Sequence, residues 1–445
     1  GDKSARGRGQ RRGSRGGRGS RGDREQSCCA GDSAAAGLSP LVSRTAWLPG
    51  RGVRLQITSP EVGGGEGQGV GAMADVGKEE NGGSKEEETV EGFVLCAGVN
   101  DWDVLGKVTQ KPAPDLPNFA APTLHASLAG VKVRHVLGGT SALHAMLIDA
   151  GGAVWSWGAN GKGQLGLGHT SNVYSPTMVG GLLAGKTVKG GAAGRGHSVV
   201  FTSDGNSYSW GGNRYGQLGT GSVKKMVVKK SGPEETVTSP VKNLVVNCSA
   251  VSCGQEFTLW LSGGGVMSAG CPEYGQLGHA TDNQYNASDS SLKMYFQPQP
   301  TPKFIKGLAD KKVTQIASGH NHSLALSDDG TLYSWGFGGY GRLGHNVQRD
   351  EFAPRPIELF TNRMALPPEC KIACGSTTSF ATIKGGQLYL WGKPKLTGDN
   401  LMYPKPLLEI SGWDIRSMSC GTGTFAVASE TSAITWGSAL HQELG

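Results

Sequence analysis

The sequence is poor in the features that mark membrane proteins, disulfide-rich proteins and metalloproteins. Its 445 residues contain no apolar run approaching the roughly 18 residues of a membrane helix, so we expect no membrane insertion. The nine cysteines are odd in number and scattered, and apart from the vicinal Cys28 and Cys29 they show no pairs at metal-ligand spacing. We therefore expect reduced thiols in an intracellular protein, with no metal site and no cofactor.

Charged residues are also scarce at 18% and aromatic residues at 7%, whereas glycine is abundant with 73 copies. Short apolar segments bounded by glycine turns suit β-strands better than amphipathic helices. The sequence lacks the GxSxG elbow of serine hydrolases and the GxxxxGK[ST] spacing that cradles phosphate. We find no catalytic constellation, and the composition predicts an all-β fold.

The first 91 residues predict a disordered tail, separate from a folded domain over residues 92–445. Residues 1–72 are Arg/Gly-rich, with twelve cations and six acids, whereas residues 73–91 carry seven acids and two lysines. Neither segment has enough apolar surface to fold alone. Because Met73 is the first methionine, we favour a translated leader for residues 1–72. The alternatives are an RGG-like segment that binds RNA or chromatin, and an organellar transit peptide.

A repeated corner dominates the rest of the sequence. A small or aromatic residue precedes a glycine at seven places, and a Leu-Gly step follows eight residues after most of these glycines. The corner glycines are Gly98, Gly158, Gly211, Gly270, Gly336, Gly392 and Gly437. Only the sixth copy, "WGKPKLTGDN", has lost the Leu-Gly step. A constant offset inside units of variable length predicts a repeated supersecondary unit with variable loops.

Each unit reads as a set of short antiparallel strands. A glycine turn is followed by an apolar strand, an Asp-Gly or Gly-Gly turn and a second strand that ends at the corner, as in "GHNHSLALSDDGTLYSWG". This pattern predicts a hairpin with a type I′-like turn, and four such strands make a propeller blade. Trp and Leu would fill the wedge between blades, with glycines where chains pass closely.

The seven corners predict a seven-bladed β-propeller. Only six apolar strands precede them, because "FVLCAG" at Phe93–Gly98 has no partner strand before it. A closed ring would take that partner from the other end of the chain. Since the sequence stops at Gly445, inside a corner, we expect the closing strands to be missing and an open edge to remain between the first and last blades.

The corners "SWGANGKGQLGLG", "SWGGNRYGQLGTG" and "SWGFGGYGRLGH" resemble the regulator of chromosome condensation repeat over residues 92–445. The segments "GVNDWDVLGKV", "GCPEYGQLGH" and "GWDIRSMSCG" are similar to the second, telophase-disc branch of that family. The resemblance implies a seven-bladed propeller. For this branch it also implies association with centromeric chromatin, microtubules and small GTPases of the Rac, Ral and Arf kind.

In a propeller, the loops at one rim of the central channel converge, and we expect a GTPase-contact rim there. Its predicted members follow the glycine turns and are Arg195, Gln255, Glu256, His320 and Asn321. In the Ran exchange factor of the family, acidic and histidine residues at this rim contact the GTPase. Glu256 matches a key carboxylate by charge, whereas Arg195 replaces an acid and Thr377 stands where a histidine would.

The alternatives for the rim are structural. Glu256 could instead pair with Arg195 or with a lysine, and His197 and His322 are expected to be satisfied core histidines. The third corner, "WGGNRYGQLG", has no room for the wedge that the Ran exchange factor inserts, so Ran exchange by that mechanism is disfavoured. The family's ultraviolet photoreceptor uses clustered rim tryptophans, which this rim lacks.

Four lysines in the insert "SVKKMVVKKSGPEE" form a predicted basic surface loop, namely Lys224, Lys225, Lys229 and Lys230. Such a loop is either a solvated insertion or an electrostatic handle for acidic partners. The leading interpretation of the chain is a monomeric platform in nucleus and cytoplasm that regulates a small GTPase, by binding it or by guanine-nucleotide exchange. The alternatives are a non-enzymatic scaffold on chromatin or microtubules and an organellar RNA-processing factor.

Overall fold

The computed structural model describes residues 92–98, 101, 117–223, 235–286, 292, 294–361, 364–395, 398–429, 431–438 and 444. The predicted tail over residues 1–91 lies outside the described residues, as do the four lysines of the predicted basic loop, Lys224, Lys225, Lys229 and Lys230. Short antiparallel strands dominate the described part, which confirms the prediction of an all-β protein. No helix in this part is long and apolar enough to cross a membrane.

The first strands form a two-stranded sheet, followed by the first two blades. The two-stranded sheet pairs β1 (Leu95–Gly98) with β2 (Phe119–Leu124). Blade A contains β3 (Val133–Leu137), β4 (His144–Asp149), β5 (Val154–Gly158) and β6 (Val173–Met178). Blade B contains β7 (Val188–Ala193), β8 (His197–Thr202), β9 (Ser207–Gly212) and β10 (Thr236–Lys242). Each blade is an antiparallel meander, from an inner to an outer strand.

The next two blades repeat this order. Blade C contains β11 (Cys248–Cys253), β12 (Phe257–Ser262), β13 (Gly265–Gly270) and, further along the chain, β16 (Gln299–Phe304). The insert before β16 folds into a small hairpin of β14 (Gln284–Asn286) and β15 (Met294–Phe296). Blade D contains β17 (Val313–Ser318), β18 (His322–Ser327), β19 (Leu332–Gly336) and β20 (Glu351–Pro356).

The last two blades differ in strand number. Blade E contains β21 (Ile372–Cys374), β22 (Thr378–Thr382), β23 (Leu388–Gly392) and β24 (Leu401–Pro406). Blade F has three strands, β25 (Ser417–Cys420), β26 (Thr424–Ala428) and β27 (Ala433–Gly437). Short 3-10 helices in the connections span Ala126–Leu128, Gly181–Leu183, Lys306–Leu308, Gly339–Gly341, Glu358–Phe360 and Leu408–Ile410.

The prediction of a β-propeller is confirmed, but the predicted count of seven blades is wrong, because the described residues form six. The first corner, at Gly98, forms only the two-stranded sheet. That sheet packs through Val94 and Cys96 on blade A, against a cluster that includes Val133 and Leu147. A corner sequence therefore does not guarantee a complete blade. The expected absence of closing strands stays a prediction.

The second strands of blades B to E are buried along almost their whole length, because neighbouring blades cover both faces of these sheets. All six residues of β12 and all six of β18 are buried. Separate hydrophobic clusters join A to B, B to C, C to D, D to E and E to F. The outer strands are partly exposed and carry prolines, such as Pro176 in β6 and Pro240 in β10. Proline has no backbone N–H, so it discourages another strand from pairing with these edges.

The glycine-containing corners confirm the predicted close packing between blades. The Leu-Gly steps bury Leu165, Leu218, Leu277 and Leu343 completely. A Cβ added to Gly166 would lie 2.8 Å from Nε1 of Trp210 in the next blade. The backbone at Gly166 has a φ of +73°, which side chains of other residues rarely adopt.

The predicted type I′-like turn applies to blade C but not to blades B and D. Gly263 and Gly264 in blade C both have positive φ, as that turn requires. In blades B and D only the glycine of the Asp-Gly pair, Gly205 or Gly330, has a positive φ. The aspartates instead accept hydrogen bonds within the turn, as Asp329 does from the Thr331 amide at 3.0 Å. These turns are therefore three-residue connections that end on a glycine.

Candidate functional site: the rim of the propeller

In each blade a turn joins the first strand to the second, and we call it the AB turn. The letters denote the first and second strand of a blade, not blades A and B. These turns meet around the propeller axis. Gly194 and Gly319 open the AB turns of blades B and D, and a Cβ on them would lie 2.8 Å from the Gly254 carbonyl oxygen and 2.7 Å from that of Gly375. Only glycine allows neighbouring turns to approach so closely. The sequence places the predicted contact residues directly after these glycines, and so at the rim.

Hydrogen bonds run from one AB turn to the next. The amide of Arg195 donates to the carbonyl of Gln255 at 3.4 Å, and the amide of Gln255 donates to the carbonyl of His320 at 3.0 Å. Nδ1 of His320 and the hydroxyl of Ser376 lie 3.1 Å apart. The structure therefore brings blades B, C, D and E together at the predicted rim.

Blades A and F are joined on the same axis. The hydroxyl of Thr140 donates to the carbonyl of Cys374 at 2.5 Å and lies 3.3 Å from that of Cys420. The hydroxyl of Thr422 in turn donates to the Thr140 carbonyl at 3.0 Å. Side chains from blade A thus reach both blade E and blade F.

The repeated corners lie at the same end of the blades as the AB turns. In blades A to F, the residue after the corner glycine donates its amide to an AB-turn carbonyl, as Cys271 does to Glu256 at 2.9 Å and Phe337 does to Asn321 at 2.8 Å. Lys393 does the same to Thr377 at 2.9 Å. AB turns and corners therefore form one continuous surface.

The predicted rim residues differ in exposure. Arg195 is exposed, whereas Glu256, His320 and Asn321 are partly exposed. Gln255 is only 8% exposed, so its side chain offers little surface to a partner. The prediction of Gln255 as a contact residue is therefore weakened by its packing between turns, which the sequence did not reveal.

His320 is held as a neutral imidazole. Burial, together with the positive charges of Arg342 and Arg195, lowers its pKa to about 4. At neutral pH it acts as a hydrogen-bonding group and carries no charge of its own. Arg342, which the sequence analysis did not select, therefore lies close to the predicted rim.

His197 and His322 lie in the core as predicted, but they are only partly satisfied, because the buried Nδ1 of each ring has no hydrogen-bond partner in the described part of the chain. Both are completely buried, and each Nε2 reaches a hydroxyl of the next blade, Thr258 at 3.0 Å for His197 and Ser379 at 2.9 Å for His322. His144 makes the same contact with Ser198 at 2.6 Å. Burial lowers the pKa of His197 to about 3, so the ring is neutral and suited to this packing.

The cysteines of the inner strands are also structural. A cavity of about 200 Å³ near the axis is lined by residues that include Cys253, Cys374 and Cys420. Burial raises the pKa of Cys253 to about 12, so the thiol does not ionise at neutral pH. All seven cysteines in the described part of the chain are free. Across that same part, no three His, Cys, Asp or Glu side chains cluster as a metal site would require.

The described strands and the glycine-tethered turns of the rim define a protein of the β-propeller class. The sequence profile of the Regulator of chromosome condensation (RCC1) repeat matches residues 151–201, 204–261, 263–326 and 329–382. A second profile of the same repeat matches residues 188–217 and 313–342. The chain belongs to the RCC1-repeat family.

Curated relatives confirm the predicted branch. Human Protein RCC2 is 36% identical over 378 residues, which cover 80% of this chain and 69% of the human protein. The Xenopus laevis Protein RCC2 homolog is also 36% identical, over 384 residues that cover 81% of this chain and 71% of the relative.

Solved structures support the fold. Yeast RCC1 (Prp20), solved with Kap60 bound to it, has a TM-score of 0.60 at 20% identity, over 83% of this chain and 88% of that chain. Prp20p from Saccharomyces cerevisiae, described with its binding properties to Gsp1p and histones, has a TM-score of 0.53 at 20% identity, over 71% of this chain and 72% of that chain. At this identity the likeness concerns the fold alone.

Proposed function

We propose that this chain is an interaction platform that regulates a small GTPase through the rim of its AB turns, by binding it or by promoting nucleotide exchange. The observation that carries the proposal is the row of hydrogen-bonded turns that presents Arg195, Glu256, His320 and Asn321 on one surface. Membership of the RCC1-repeat family supports it. The protein would act in the nucleus and cytoplasm, in chromosome or cytoskeletal functions.

Exchange requires no catalytic triad. A partner surface accelerates nucleotide release when it stabilises the nucleotide-free GTPase more than the bound form. Such a surface has to be rigid, because a yielding one would adapt to both forms equally. The Glu256 carbonyl is held by the Cys271 amide at 2.9 Å, and this fixes the backbone from which the carboxylate projects. Glu256 would compete for a cation in the nucleotide site.

The proposed partner is of the Rac, Ral or Arf type rather than Ran. The corner that follows β9 is bound to its own blade, because the Ser209 hydroxyl of β9 donates to the Leu218 carbonyl at 2.7 Å. The Gly219 amide donates to the Gly216 carbonyl at 2.9 Å, which tightens the same turn. A corner this compact supports the expectation that it holds no wedge of the kind implied for Ran exchange.

The test is a panel of Rac, Ral, Arf and Ran GTPases loaded with a fluorescent guanine nucleotide. The full chain is added, and binding and nucleotide release are measured separately. We expect at least one GTPase to bind, and Glu256→Ala to weaken binding or release by about fivefold, the effect of removing one charged contact.

The matched control is Glu409→Ala, which removes an exposed carboxylate from the connection between blades E and F. It should leave both measurements unchanged. The proposal fails if no GTPase on the panel binds, or if Glu256→Ala and Glu409→Ala behave alike.

A further inference from the structure

We propose that a sector of the rim docks an acidic segment of a partner protein. This sector, called the cationic sector, consists of Arg195, Phe337, Tyr340, Arg342 and Lys393. The inference rests on the proposed function, because it names the chemistry of the partner at the same rim. The proposed function relies on the Glu256 carboxylate of this chain. The inference instead assigns the main attraction to basic residues of this chain and acidic residues of the partner.

Arg342 is a buried cation at a position that glutamine occupies in other blades. Gln164, Gln217 and Gln276 each use Oε1 to accept the backbone amide two residues earlier, at 2.8 to 2.9 Å. The backbone contact to the next blade does not depend on the side chain, since the Arg342 carbonyl still accepts from the Ser379 hydroxyl at 2.8 Å. This backbone contact with the next blade therefore does not require an arginine.

The guanidinium of Arg342 is held in one place. Its Nε donates to the Gly339 carbonyl at 2.9 Å, and one terminal nitrogen donates to the Ser376 carbonyl at 3.2 Å. It also lies 4.4 Å from the ring centre of Phe337 and 5.4 Å from that of Tyr340. With only 3% of the residue exposed, Arg342 acts as a positioning residue that places positive charge beneath the surface.

Lys393 brings a second cation to the same aromatic ring. Its Nζ lies 4.7 Å from the ring centre of Tyr340, and its backbone is tied to Thr377 by two hydrogen bonds, of 2.9 and 2.8 Å. Tyr340 itself has a φ of +62°, unusual for a residue with a bulky side chain. The strained turn thus sets the ring between Arg342 and Lys393.

Arg195 completes the sector on the side of blade B. Its charge and that of Arg342 both act on His320, which is neutral and adds no charge. A fourth cation, Lys162, lies next to this turn, because a Cβ on Gly196 would lie 3.1 Å from its Cγ. Positive charges from four blades, A, B, D and E, therefore converge on one part of the rim.

Acidic residues on these turns do not cancel that charge. Asp350 accepts the Gly338 amide at 2.9 Å, and Glu256 lies on the blade C turn. With Glu273 on the blade C corner, three carboxylates stand against the four cations Lys162, Arg195, Arg342 and Lys393. The remaining positive potential would attract a partner segment that carries several carboxylates.

The aromatic rings favour an acidic protein segment over a nucleic acid. Single-stranded nucleic acid binds when bases stack on free aromatic faces. Here Phe337 contacts Tyr274, with ring centres 4.8 Å apart, and also Arg342, while Tyr340 is contacted by Arg342 and Lys393. Carboxylates need only the cations, and guanidinium groups bind them well.

The test is fluorescence anisotropy of a labelled glutamate peptide titrated with the full chain. We expect binding that weakens as ionic strength rises from about 0.05 to about 0.3 M, because salt screens exposed charges. Arg195→Gln and Lys393→Gln should each weaken it about threefold to fivefold. Arg342→Gln should also weaken it, and it should lower thermal stability as well, because the variant loses the hydrogen bonds to the Gly339 and Ser376 carbonyls. A glutamine peptide should not bind.

The matched control is Lys405→Gln. Lys405 is an exposed lysine on the outer strand of blade E, the blade that carries Lys393, and the variant should bind the glutamate peptide as the unaltered chain does. Equal affinity in the Arg195, Lys393 and Lys405 variants would overturn the inference. So would a single-stranded oligothymidine that binds more tightly than the glutamate peptide and is lost in the same variants.

The two proposals fail separately. Glutamate-peptide binding that depends on Arg195 and Lys393, with no GTPase bound, would leave the cationic sector standing and overturn the proposed function. GTPase binding that depends on Glu256, with no binding of the glutamate peptide, would leave the proposed function standing and overturn the cationic sector.

Discussion

Trp335 in blade D and Trp436 in blade F end the same repeated sequence, but they differ in burial. Trp335 is completely buried, and its indole N–H donates to the Gln276 carbonyl of blade C at 2.9 Å. A Cβ on Gly278, in the Leu-Gly step of blade C, would lie 3.0 Å from its Nε1. Trp436 is partly exposed and packs beside Phe425.

The difference lies in the preceding repeat. Blade C supplies the Leu-Gly step that covers Trp335, whereas the blade E corner, "WGKPKLTGDN", lacks it. A tryptophan in this fold is therefore buried by its neighbour as much as by its own blade. The interfaces from A to E and the interface from E to F should accordingly differ in stability.

The largest effect is expected from the tryptophans themselves. Trp335→Ala should lower the free energy of unfolding by about 3 to 5 kcal/mol, because it leaves a cavity in the core. Trp436→Ala should cost about 1 to 2 kcal/mol, since part of that ring already contacts water. Urea unfolding of both variants checks the comparison, and equal losses would contradict it.

An intermediate effect is expected from pH, because blades A, B and D carry a buried histidine where blades E and F carry Thr378 and Thr424. Burial lowers the pKa of His197 to about 3 from its ordinary value near 6.5. Its stabilising contribution is therefore complete above pH 6.5 and is lost as the pH falls from there towards 3. Between pH 7.5 and 5.5 the loss should be about 1.4 kcal/mol for each such histidine.

Urea unfolding at the two pH values checks this. Between pH 7.5 and 5.5, the free energy of unfolding of His197→Asn should fall by about 1.4 kcal/mol less than that of the unaltered chain. Hydrogen exchange supplies the internal control. After correction for the slower intrinsic exchange at the lower pH, the protection of β8 and β18 should fall on acidification, while that of β22 and β26 changes less. A uniform response of all blades would disprove the role of the histidines.

The smallest effect is expected at the contact between blade A and blade F. Thr140→Val keeps the shape but removes the hydroxyl that donates to Cys374, so stability should fall by about 1 kcal/mol. Hydrogen exchange in β25 to β27 should rise, because that hydroxyl also lies 3.3 Å from the Cys420 carbonyl. Thr140→Ser retains the hydroxyl and should change little. Unchanged exchange in the valine variant would show that blade F does not depend on this contact.

The sequence allowed the repeated architecture to be predicted because the constraint is local. A corner glycine, a strand of about six residues and a Leu-Gly step eight residues later can each be recognised without knowing what they contact. His197 and His322 were correctly assigned to the core for the same reason, since their position before a buried strand is part of the repeat. The clustering of Arg195 and His320 also followed from their shared place after the AB-turn glycines.

Other features depended on neighbours that the sequence does not identify. Seven corners predicted seven blades, but the first corner finds only β2 as a partner. Gln255 was expected at the contact surface and is buried between turns. The one available signal for the cationic sector was the arginine in "YGRLG", where other repeats have glutamine, and it was overlooked.

By itself, the amino-acid sequence determined the unit of this protein: its strands, its glycine corners and its family, because these depend on residues within one repeat. Only the tertiary structure decided how many units form complete blades, which tryptophans are covered and which charges meet at the rim. Those outcomes depend on contacts between repeats, where a residue's environment is made by another part of the chain.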